Sequence, residues 1–338
     1  MELPLKVSRR RGIAAMACAL CTPVWVQAQP ANKAIRIGIL AGDLVPPHEE
    51  RALLEGLREL GFVEGRNLTL DRAYADGRVL QVPGLARDMA ALKPDVVIAT
   101  CTPTTRVAMQ AFGNTPSSTP IIMAAVADPV GQRLVASLAR PGANVTGRSS
   151  QADDLMPKKL ELFARALGKP TTVAVLVDSN SAVHPRMFEA LLPAAQQLKL
   201  ELVRVEAGRR PTDVQLPAAF ATAVQKNAGA VLVLPDEPFF FSQRAQIAAL
   251  AVRHGLPSFY GAREFVDAGG LMSYGENLSA SYRGVADYIA KIAAGAKPGE
   301  LPVAQPTQFE LVINVTTAKA LGLHIPRSVL VSADELIR

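Results

Sequence analysis

The chain has 338 residues, of which 49% are apolar and 20% charged, and its formal net charge is +6. This length suits about two compact domains, and the composition is typical of a globular protein rather than a disordered or fibrous one. The charge does not indicate a nucleic-acid surface, because Lys6 and Arg9–Arg11 supply much of it and no basic cluster with interleaved aromatic residues follows.

The first 28 residues have the pattern of a cleaved export signal. The basic segment "KVSRRRG" precedes the apolar segment "IAAMACAL", and small residues surround Ala28. Pro23 interrupts the apolar stretch before it reaches the roughly 20 residues of a membrane span. We therefore predict a signal peptide over residues 1–28 and a periplasmic or extracytoplasmic location, with the twin-arginine and general export routes both open. A lipid anchor at Cys18 or Cys21 is the alternative.

Apolar and amphipathic segments alternate along the rest of the chain. Buried strands are predicted for the short runs "IRIGIL", "DVVIAT", "PIIMAAV", "TVAVLV", "AVLVLP" and "LPSFYG". The segments between them predict helices, as in "HEERALLEGLRELG", where Leu53 and Leu57 share one face and Gly61 ends the pattern. Strict alternation of strand and helix predicts parallel sheets covered by helices, which is an α/β fold.

The alternation occurs twice, from Ile35 to about Val145 and again from Asp154 to about Tyr274. Two such series predict two lobes, and the short polar segment "NVTGRSSQADD" between them is a candidate hinge. After Tyr274 the segment "SASYRGVADYIAKIAAG" predicts another amphipathic helix, and "KPGELPVAQPTQFELVIN" a further crossing between the lobes.

Polar side chains follow most of the predicted strands. Ligands of open parallel sheets bind at the carboxyl ends of the strands, where the amino ends of the following helices also lie. Each residue alone is typical of a turn or a helix cap, so the prediction rests on their convergence at one edge. The predicted ligand-binding residues are Asp43, Thr102, Thr104, Thr105, Asp128, Ser179, Asn180, Asp236, Arg263 and Tyr274.

Asp128 illustrates the two readings of such a residue. It stands between the apolar run "IIMAAVA" and Pro129, ahead of a helix-like segment. A carboxylate here predicts an N-cap, with Pro129 at the first helical position. The same side chain can bind an ammonium group, so capping and ligand binding do not exclude each other.

The sequence gives no support for catalysis, a metal or a cofactor. The four histidines lack the spacing of a zinc site, Leu271 breaks the Gly-x-Ser-x-Gly motif, and no phosphate-binding glycine motif follows the first strand. Without the signal Cys101 is the single cysteine, so an intrachain disulfide is excluded. We expect a binding protein that has no enzymatic activity, metal or cofactor.

Long segments of the chain resemble a known family. They are "DPVGQRLVASLARPGANVTG", "AGGLMSYGENLSASYRGVADYIAKIAAGAKPGELPVAQPTQFELVINVTTAKALGLHIP", and "YADGR" with "LKPDVVIAT". They are similar to the tryptophan/tyrosine-type substrate-binding proteins of ABC transporters, which are type I periplasmic binding proteins. The resemblance implies a two-lobed clamp, with lobe 1 over residues 33–147 and about 276–300 and lobe 2 over residues 148–275 and about 301–338.

The resemblance further implies that the protein delivers a small-molecule ligand to an ABC permease in the membrane. Carboxylates, hydroxyls and aromatic rings at the strand ends favour an amino acid or a related carboxylate, with an aromatic or branched side chain slightly preferred. A sugar or nucleoside ligand is the alternative, and so is a sensor that presents its ligand to a membrane receptor. We expect a monomer that binds no nucleic acid.

Overall fold

The chain folds into two α/β lobes, and the computed structural model describes residues 34–168, 172–208, 214–235 and 238–338. The predicted signal over residues 1–28 and the predicted ligand-binding residue Asp236 lie outside these ranges. None of the helices in the described ranges is both long and apolar enough to cross a membrane.

The first lobe is built on five parallel strands in the spatial order β2-β1-β3-β4-β5. The strands are β1 (Ile35–Ala41), β2 (Leu68–Tyr74), β3 (Val96–Ala99), β4 (Ile121–Val126) and β5 (Val145–Ser149). Its helices are α1 (Pro47–Glu59), α2 (Val82–Ala91) and α3 (Thr102–Phe112). Helices cover both faces of the sheet, which is why β3 and β4 are almost continuously apolar.

The second lobe is built on seven strands in the order β12-β11-β10-β9-β8-β6-β7, all parallel to their neighbours except β10 and β11. Its elements are α4 (Met156–Leu167), β6 (Thr172–Asp178), α5 (His184–Leu198), β7 (Glu201–Ala207), α6 (Leu216–Gln225), β8 (Ala230–Val233), α7 (Pro238–Ser242), α8 (Arg244–Arg253), β9 (Ser258–Tyr260), α9 (Glu264–Asp267), β10 (Met272–Glu276), β11 (Phe309–Asn314), α11 (Val315–Ala320), α12 (Arg327–Val331) and β12 (Glu335–Ile337). Together with the first sheet, this is the two-lobed, mostly parallel α/β architecture that the sequence predicts.

The helix α10 (Leu278–Ala293) leaves the second sheet and packs on the first lobe. Its buried residues Tyr282, Val285 and Ile289 share a hydrophobic cluster with Leu53 and Leu57 of α1. Asn277 caps its first turn, because the side-chain oxygen accepts a hydrogen bond of 2.9 Å from the backbone N–H of Ala280. The cap therefore stands at the point where the chain passes from β10 to the other lobe.

Within the described residues the chain passes between the sheets at three places: after β5, between β10 and α10, and after Ala304. Ala304 still belongs to the first sheet, since its backbone N–H donates to Gly147 at 2.8 Å and its carbonyl accepts from Ser149 at 2.9 Å. The first half of the candidate hinge segment is β5 itself, so the first crossing is confined to the residues between Ser149 and Met156.

The six predicted strands and the amphipathic helices are confirmed. The prediction of a helix after Asp128 is wrong. Residues 129–138 form turns and bends. Asp128 and Arg133 have positive φ angles of 30° and 55°, a backbone region that a right-handed helix does not use. The edge strands β2 and β7 lacked a clear signal, because charged side chains interrupt their apolar residues.

Replacing Gly147 by alanine is expected to lower the free energy of unfolding by more than about 2 kcal/mol. Gly147 has a φ of 126°, and a Cβ there would lie 2.3 Å from the carbonyl oxygen of Met123 and 2.5 Å from its nitrogen. These atoms belong to the neighbouring strand β4 and cannot move away cheaply. Urea unfolding of the two proteins measures the difference.

Gly269→Ala is the matched control. Its φ of 102° carries similar backbone strain, but no atom of the described residues lies within 4 Å of the added Cβ. An equal loss of stability in both variants would contradict the steric argument for Gly147.

Candidate functional site

The carboxyl ends of the central strands in both sheets face one cavity of about 150 Å³. The first lobe contributes Asp43 of the loop after β1, Glu49 in the first turn of α1, and Cys101 just after β3. The second lobe contributes the ends of β8, β9 and β10, together with α4 and the phenylalanines of α7. An apolar cavity of this volume accommodates a molecule the size of benzene.

Sheet topology explains the contribution of the first lobe. In the first sheet β1 lies between β2 and β3. The chain therefore continues from β1 to β2 on one side and then crosses to β3 on the other side of β1. The crevice above such a reversal is where ligands bind in open α/β sheets. The residues that follow β1 and β3 therefore line the cavity, whereas those that follow β6 in the second sheet do not.

Lys159 is a deeply buried charged group of the cavity lining, with 2% of its surface exposed. Burial lowers its pKa to about 7, although the carboxylates of Glu276 and Asp153 oppose this shift. Glu276 ends β10 and also lines the cavity, where the hydroxyl of Ser281 donates a hydrogen bond of 2.5 Å to it. The cavity thus holds a cationic and an anionic group that influence each other.

Asp43 joins the two lobes at the cavity. Its carboxylate lies 3.5 Å from a guanidinium nitrogen of Arg244 in α8. Burial raises the pKa of Asp43, while the positive charge of Arg244 acts in the opposite direction. The guanidinium also stacks over the ring of Phe241 at 5.0 Å and donates to the Phe241 carbonyl at 2.7 Å, so that Arg244 is held in place from three sides.

A second carboxyl pair crosses between the lobes beside the cavity. Glu49, in the first turn of α1, and Glu264, at the start of α9, have exposures of 2% and 5%. Burial raises the pKa of Glu49 well above its usual range, and the neighbouring carboxyl of Glu264 raises it further. The imidazole Nε2 of the exposed His48 lies 3.4 Å from Glu264. Positive charge or a proton is needed here to balance the pair.

Apolar and aromatic side chains make up most of the remaining lining. Phe240 and Phe241 project from α7, Phe265 from α9, and Tyr282 from α10. Phe240 and Phe241 thus give the cavity an aromatic surface. Tyr260 is outside the lining and is stacked on Phe265 at 4.7 Å inside the second lobe.

Of the ten predicted ligand-binding residues, the structure places Asp43 in the cavity lining. The three predicted threonines lie outside this lining, at the start of α3. The side chain of Thr104 accepts a hydrogen bond of 3.0 Å from the backbone N–H of Cys101, and the hydroxyl of Thr105 donates to the Cys101 carbonyl at 2.9 Å. Thr102 is buried at the first position of the same helix.

Asp128 lies on the rim between the lobes rather than in the cavity lining. One carboxylate oxygen accepts a hydrogen bond of 2.9 Å from the backbone N–H of Gly131, and the other pairs with Arg186 of α5. Arg186 also lies 3.7 Å from Asp153, whose pKa burial and the Asp128 charge raise to about 6. Asp128 thus stabilises a turn and contacts the opposite lobe with one side chain.

The remaining described predictions lie farther from the cavity. Asn180 donates to Asp178 in the turn after β6, and the neighbouring Ser179 is exposed. Arg263 pairs with Glu335 at 3.0 Å, and Tyr274 packs against Phe309 with ring centroids 6.0 Å apart. These contacts hold turns and neighbouring strands together within the second lobe.

Sequence reasoning missed Glu49, Lys159 and Glu276. A signal for Lys159 exists, because it stands three residues after Met156 and four before Phe163, on the buried face of α4. A charged residue on an apolar helix face is expensive to bury and therefore indicates a site. Glu276 is two residues beyond Tyr274, so the strand end was recognised but the inward-facing residue was not.

Comparison with known proteins supports this architecture. The family described as ABC transporter substrate binding protein matches residues 48–337. A Clostridioides difficile protein described as a tyrosine-binding protein is 26% identical over 275 residues, which cover 81% of this chain and 76% of that protein.

Two solved structures superpose on 90% of this chain and on all of their own, each with a TM-score of 0.80. One is a conserved domain protein from Vibrio cholerae, 29% identical, and the other is a domain from Streptococcus pneumoniae in complex with L-Trp, 25% identical. The two-lobed type I periplasmic-binding-protein fold that the resemblance implies is thereby confirmed. The chain belongs to the family of ABC transporter substrate-binding proteins.

Proposed function

We propose that this protein captures an amino acid between its lobes and delivers it to an ABC permease. The observation that carries the proposal is the pair Lys159 and Glu276 in a mostly apolar cavity between the two sheets. An α-amino acid carries its carboxylate and its ammonium on one carbon, so its two charges are close together. Adjacent groups of opposite charge in the cavity complement both of them.

In this arrangement Lys159 binds the ligand carboxylate, and Glu276 binds the ammonium. Lys159 and Glu276 lose hydrogen bonds to water when they are buried, and the charged groups of the ligand take the place of that water. Charge-assisted hydrogen bonds of this kind are strong. Ser281 keeps the Glu276 carboxylate oriented through its hydrogen bond of 2.5 Å. Asp43, which Arg244 already neutralises, is then a neighbour of the ligand rather than its main counter-charge.

The apolar part of the lining favours an amino acid with a large apolar or aromatic side chain. Phe240, Phe241 and Tyr282 provide ring surfaces, and aromatic pairs gain roughly 0.5–1.5 kcal/mol beyond the burial of their area. A sugar needs many polar partners, and this lining offers few. The L-Trp complex and the tyrosine-binding protein among the relatives support the same ligand class.

The crossings between the sheets provide the hinge in this proposal. A ligand that contacts both lobes stabilises their closed arrangement and leaves the open one unaffected. The contacts Asp43–Arg244 and Asp128–Arg186 also join the lobes, one at the cavity and one at the rim. The proposal keeps two lobes close to the predicted bounds, residues 33–147 with about 276–300 and residues 148–275 with about 301–338, but extends the first lobe to Ser149 and to Ala304, which belong to the first sheet.

The place of action follows from the same proposal. A receptor for a permease works outside the cytoplasm, which the export signal pattern of residues 1–28 supports. Cleavage near Ala28 would release the two-lobed part as a free protein. We expect this part to act as a monomer.

Ligand-stripped protein should gain thermal stability from amino acids with aromatic or branched side chains. A ligand at 100 times its dissociation constant adds about 2.7 kcal/mol to the free energy of unfolding. The measurement is a thermal-shift series with amino acids, the matching amines without a carboxylate, the matching acids without an ammonium, and sugars. Glu276→Gln should weaken binding of the amino acid about tenfold or more, because the ammonium loses its counter-charge.

Glu310→Gln is the control for that variant. Glu310 also has a partly buried carboxyl in the second lobe, with a pKa that burial raises, but it lies outside the cavity lining. Stabilisation by sugars alone, or equal loss of binding in both variants, would contradict the assignment of an amino acid to Glu276.

Affinity for the amino acid should fall as the pH rises from 6 to 8. The Lys159 pKa of about 7 in the free protein means that Lys159 is charged at pH 6 and mostly neutral at pH 8. A bound carboxylate favours the charged form and raises this pKa, so binding becomes linked to one proton. Titration calorimetry should show a decrease of about tenfold over this interval.

The variant Lys159→Met serves as the reference for this pH dependence. It should bind the amino acid more weakly at pH 6 and with little change from pH 6 to pH 8. A wild-type affinity that is constant over the same interval would remove Lys159 as the partner of the carboxylate.

Arg186→Ala should shift the ligand-free protein towards an open arrangement. Arg186 contacts Asp128 in the first lobe while it belongs to α5 of the second, so its loss removes a contact across the rim. Because the arginine is largely exposed, the expected loss of ligand affinity is at most about fivefold, as for surface ion pairs of about 0.2–1 kcal/mol. Small-angle scattering should show an increased radius of gyration.

Arg204→Ala removes an exposed arginine of the edge strand β7, which pairs with Glu206 on the same strand. It should leave the radius of gyration and the affinity unchanged. If the two arginine variants scatter identically to the wild type, the rim contact does not hold the lobes together.

A further inference from the structure

Beside the ligand cavity, three side chains with metal-binding atoms converge from the two lobes. They are His48 and Glu49 at the start of α1 and Glu264 at the start of α9. The imidazole nitrogen and one carboxylate oxygen from each glutamate all lie within 4.8 Å of one another. Glu49 also lines the cavity, but the cluster does not include Lys159 or Glu276, to which we assign the charges of the amino acid.

The spacing matches that of ligands on one ion. Two ligand atoms on a tetrahedral zinc ion with bonds of roughly 2.0–2.1 Å lie about 3.3–3.4 Å apart. His48 Nε2 and Glu264 Oε1 are 3.4 Å apart.

A cation would stabilise the carboxyl groups of Glu49 and Glu264. Among the described residues, no N–H or O–H group donates a hydrogen bond to Oε1 of Glu49 or to either carboxylate oxygen of Glu264. Both side chains are more than nine-tenths buried, and a buried carboxylate without a partner is costly. These oxygens face each other and His48, so a single ion between the three residues would satisfy all of them.

The surrounding groups set the balance of charge at this place. The carboxylate of Glu276 acts electrostatically on Glu49, as Glu49 does on the phenol of Tyr282, whereas Arg244 is the positive group that acts on Glu49. Arg244 is already held by Asp43 and the Phe241 carbonyl. The local charge therefore favours an added cation.

We infer that His48, Glu49 and Glu264 form a binding site for a divalent transition-metal ion of the zinc class, which joins the two lobes. One imidazole and two carboxylates are ligands that zinc accepts, whereas calcium prefers six to eight oxygen ligands. The imidazole of His48 is 47% exposed, which gives the ion a path from solvent. Since the ligands come from α1 and α9, the bound ion stabilises the contact between the lobes.

The test is a calorimetric titration of the chelator-treated full chain with zinc chloride, in the absence of any amino acid. We expect one saturable site per chain and at least a tenfold weaker affinity in His48→Ala and in Glu264→Gln. Zinc should also raise the melting temperature of the wild type and reduce its radius of gyration, while calcium at the same concentration should do neither.

His324→Ala is the control, because it removes an exposed histidine elsewhere. It should bind zinc as the wild type does. Circular dichroism of each variant verifies that it is folded. If His48→Ala unfolds, Glu264→Gln still tests the site, because glutamine preserves the shape of the side chain.

Two results would overturn the inference. One is a wild-type protein that shows no saturable zinc binding, in which case a proton shared by the two carboxyls balances the pair. The other is zinc binding that His48→Ala and Glu264→Gln leave unchanged, which would place the ion elsewhere. Neither result depends on amino-acid binding, so this test and that of the proposed function fail independently.

Discussion

Charged groups from two lobes meet at a mostly apolar cavity, and the rest of the site depends on how these charges are balanced. Asp43 is matched by Arg244, and Asp128 on the rim by Arg186. Both pairs link the first lobe to the second. A buried charge without a partner costs far more free energy than a paired one. Because separation of the lobes would break these two ion pairs, lobe movement and charge pairing are coupled.

The balance inside the cavity is incomplete, and the proposed binding site is based on this. Lys159 is buried enough for its pKa to fall to about 7, and burial together with the Glu264 carboxyl raises the pKa of Glu49. A folded protein optimised only for stability would replace such groups by apolar side chains. Here they remain available to charges that arrive from outside.

Topology decides which strand ends contribute to this cavity. The residues after β1 and β3 line it because β1 lies between strands that the chain reaches on opposite sides. In the second lobe the ends of β8, β9 and β10 take part, and the turn after β6 is held by Asp178 and Asn180 instead. The helix α10 then packs against α1, so that Tyr282 reaches the cavity from the first lobe.

Much of this architecture could be predicted from the sequence. Buried strands such as β3 and β4 are short apolar runs because both of their faces are covered, and α1 and α4 show the spacing of an amphipathic helix. Local pattern was insufficient after Asp128, where residues 129–138 lack helix because positive φ angles interrupt it.

The sequence by itself determined the two α/β lobes, their order and the edge at which polar residues collect, because these follow from the periodicity of apolar side chains and from the residues that end strands. The tertiary structure decided which of those residues face the cavity. Asp43 does so, Asp128 lies on the rim, and Arg263 pairs with Glu335 of β12. A strand end fixes the position of a residue along the chain, but the direction of its side chain depends on partners that are distant in sequence.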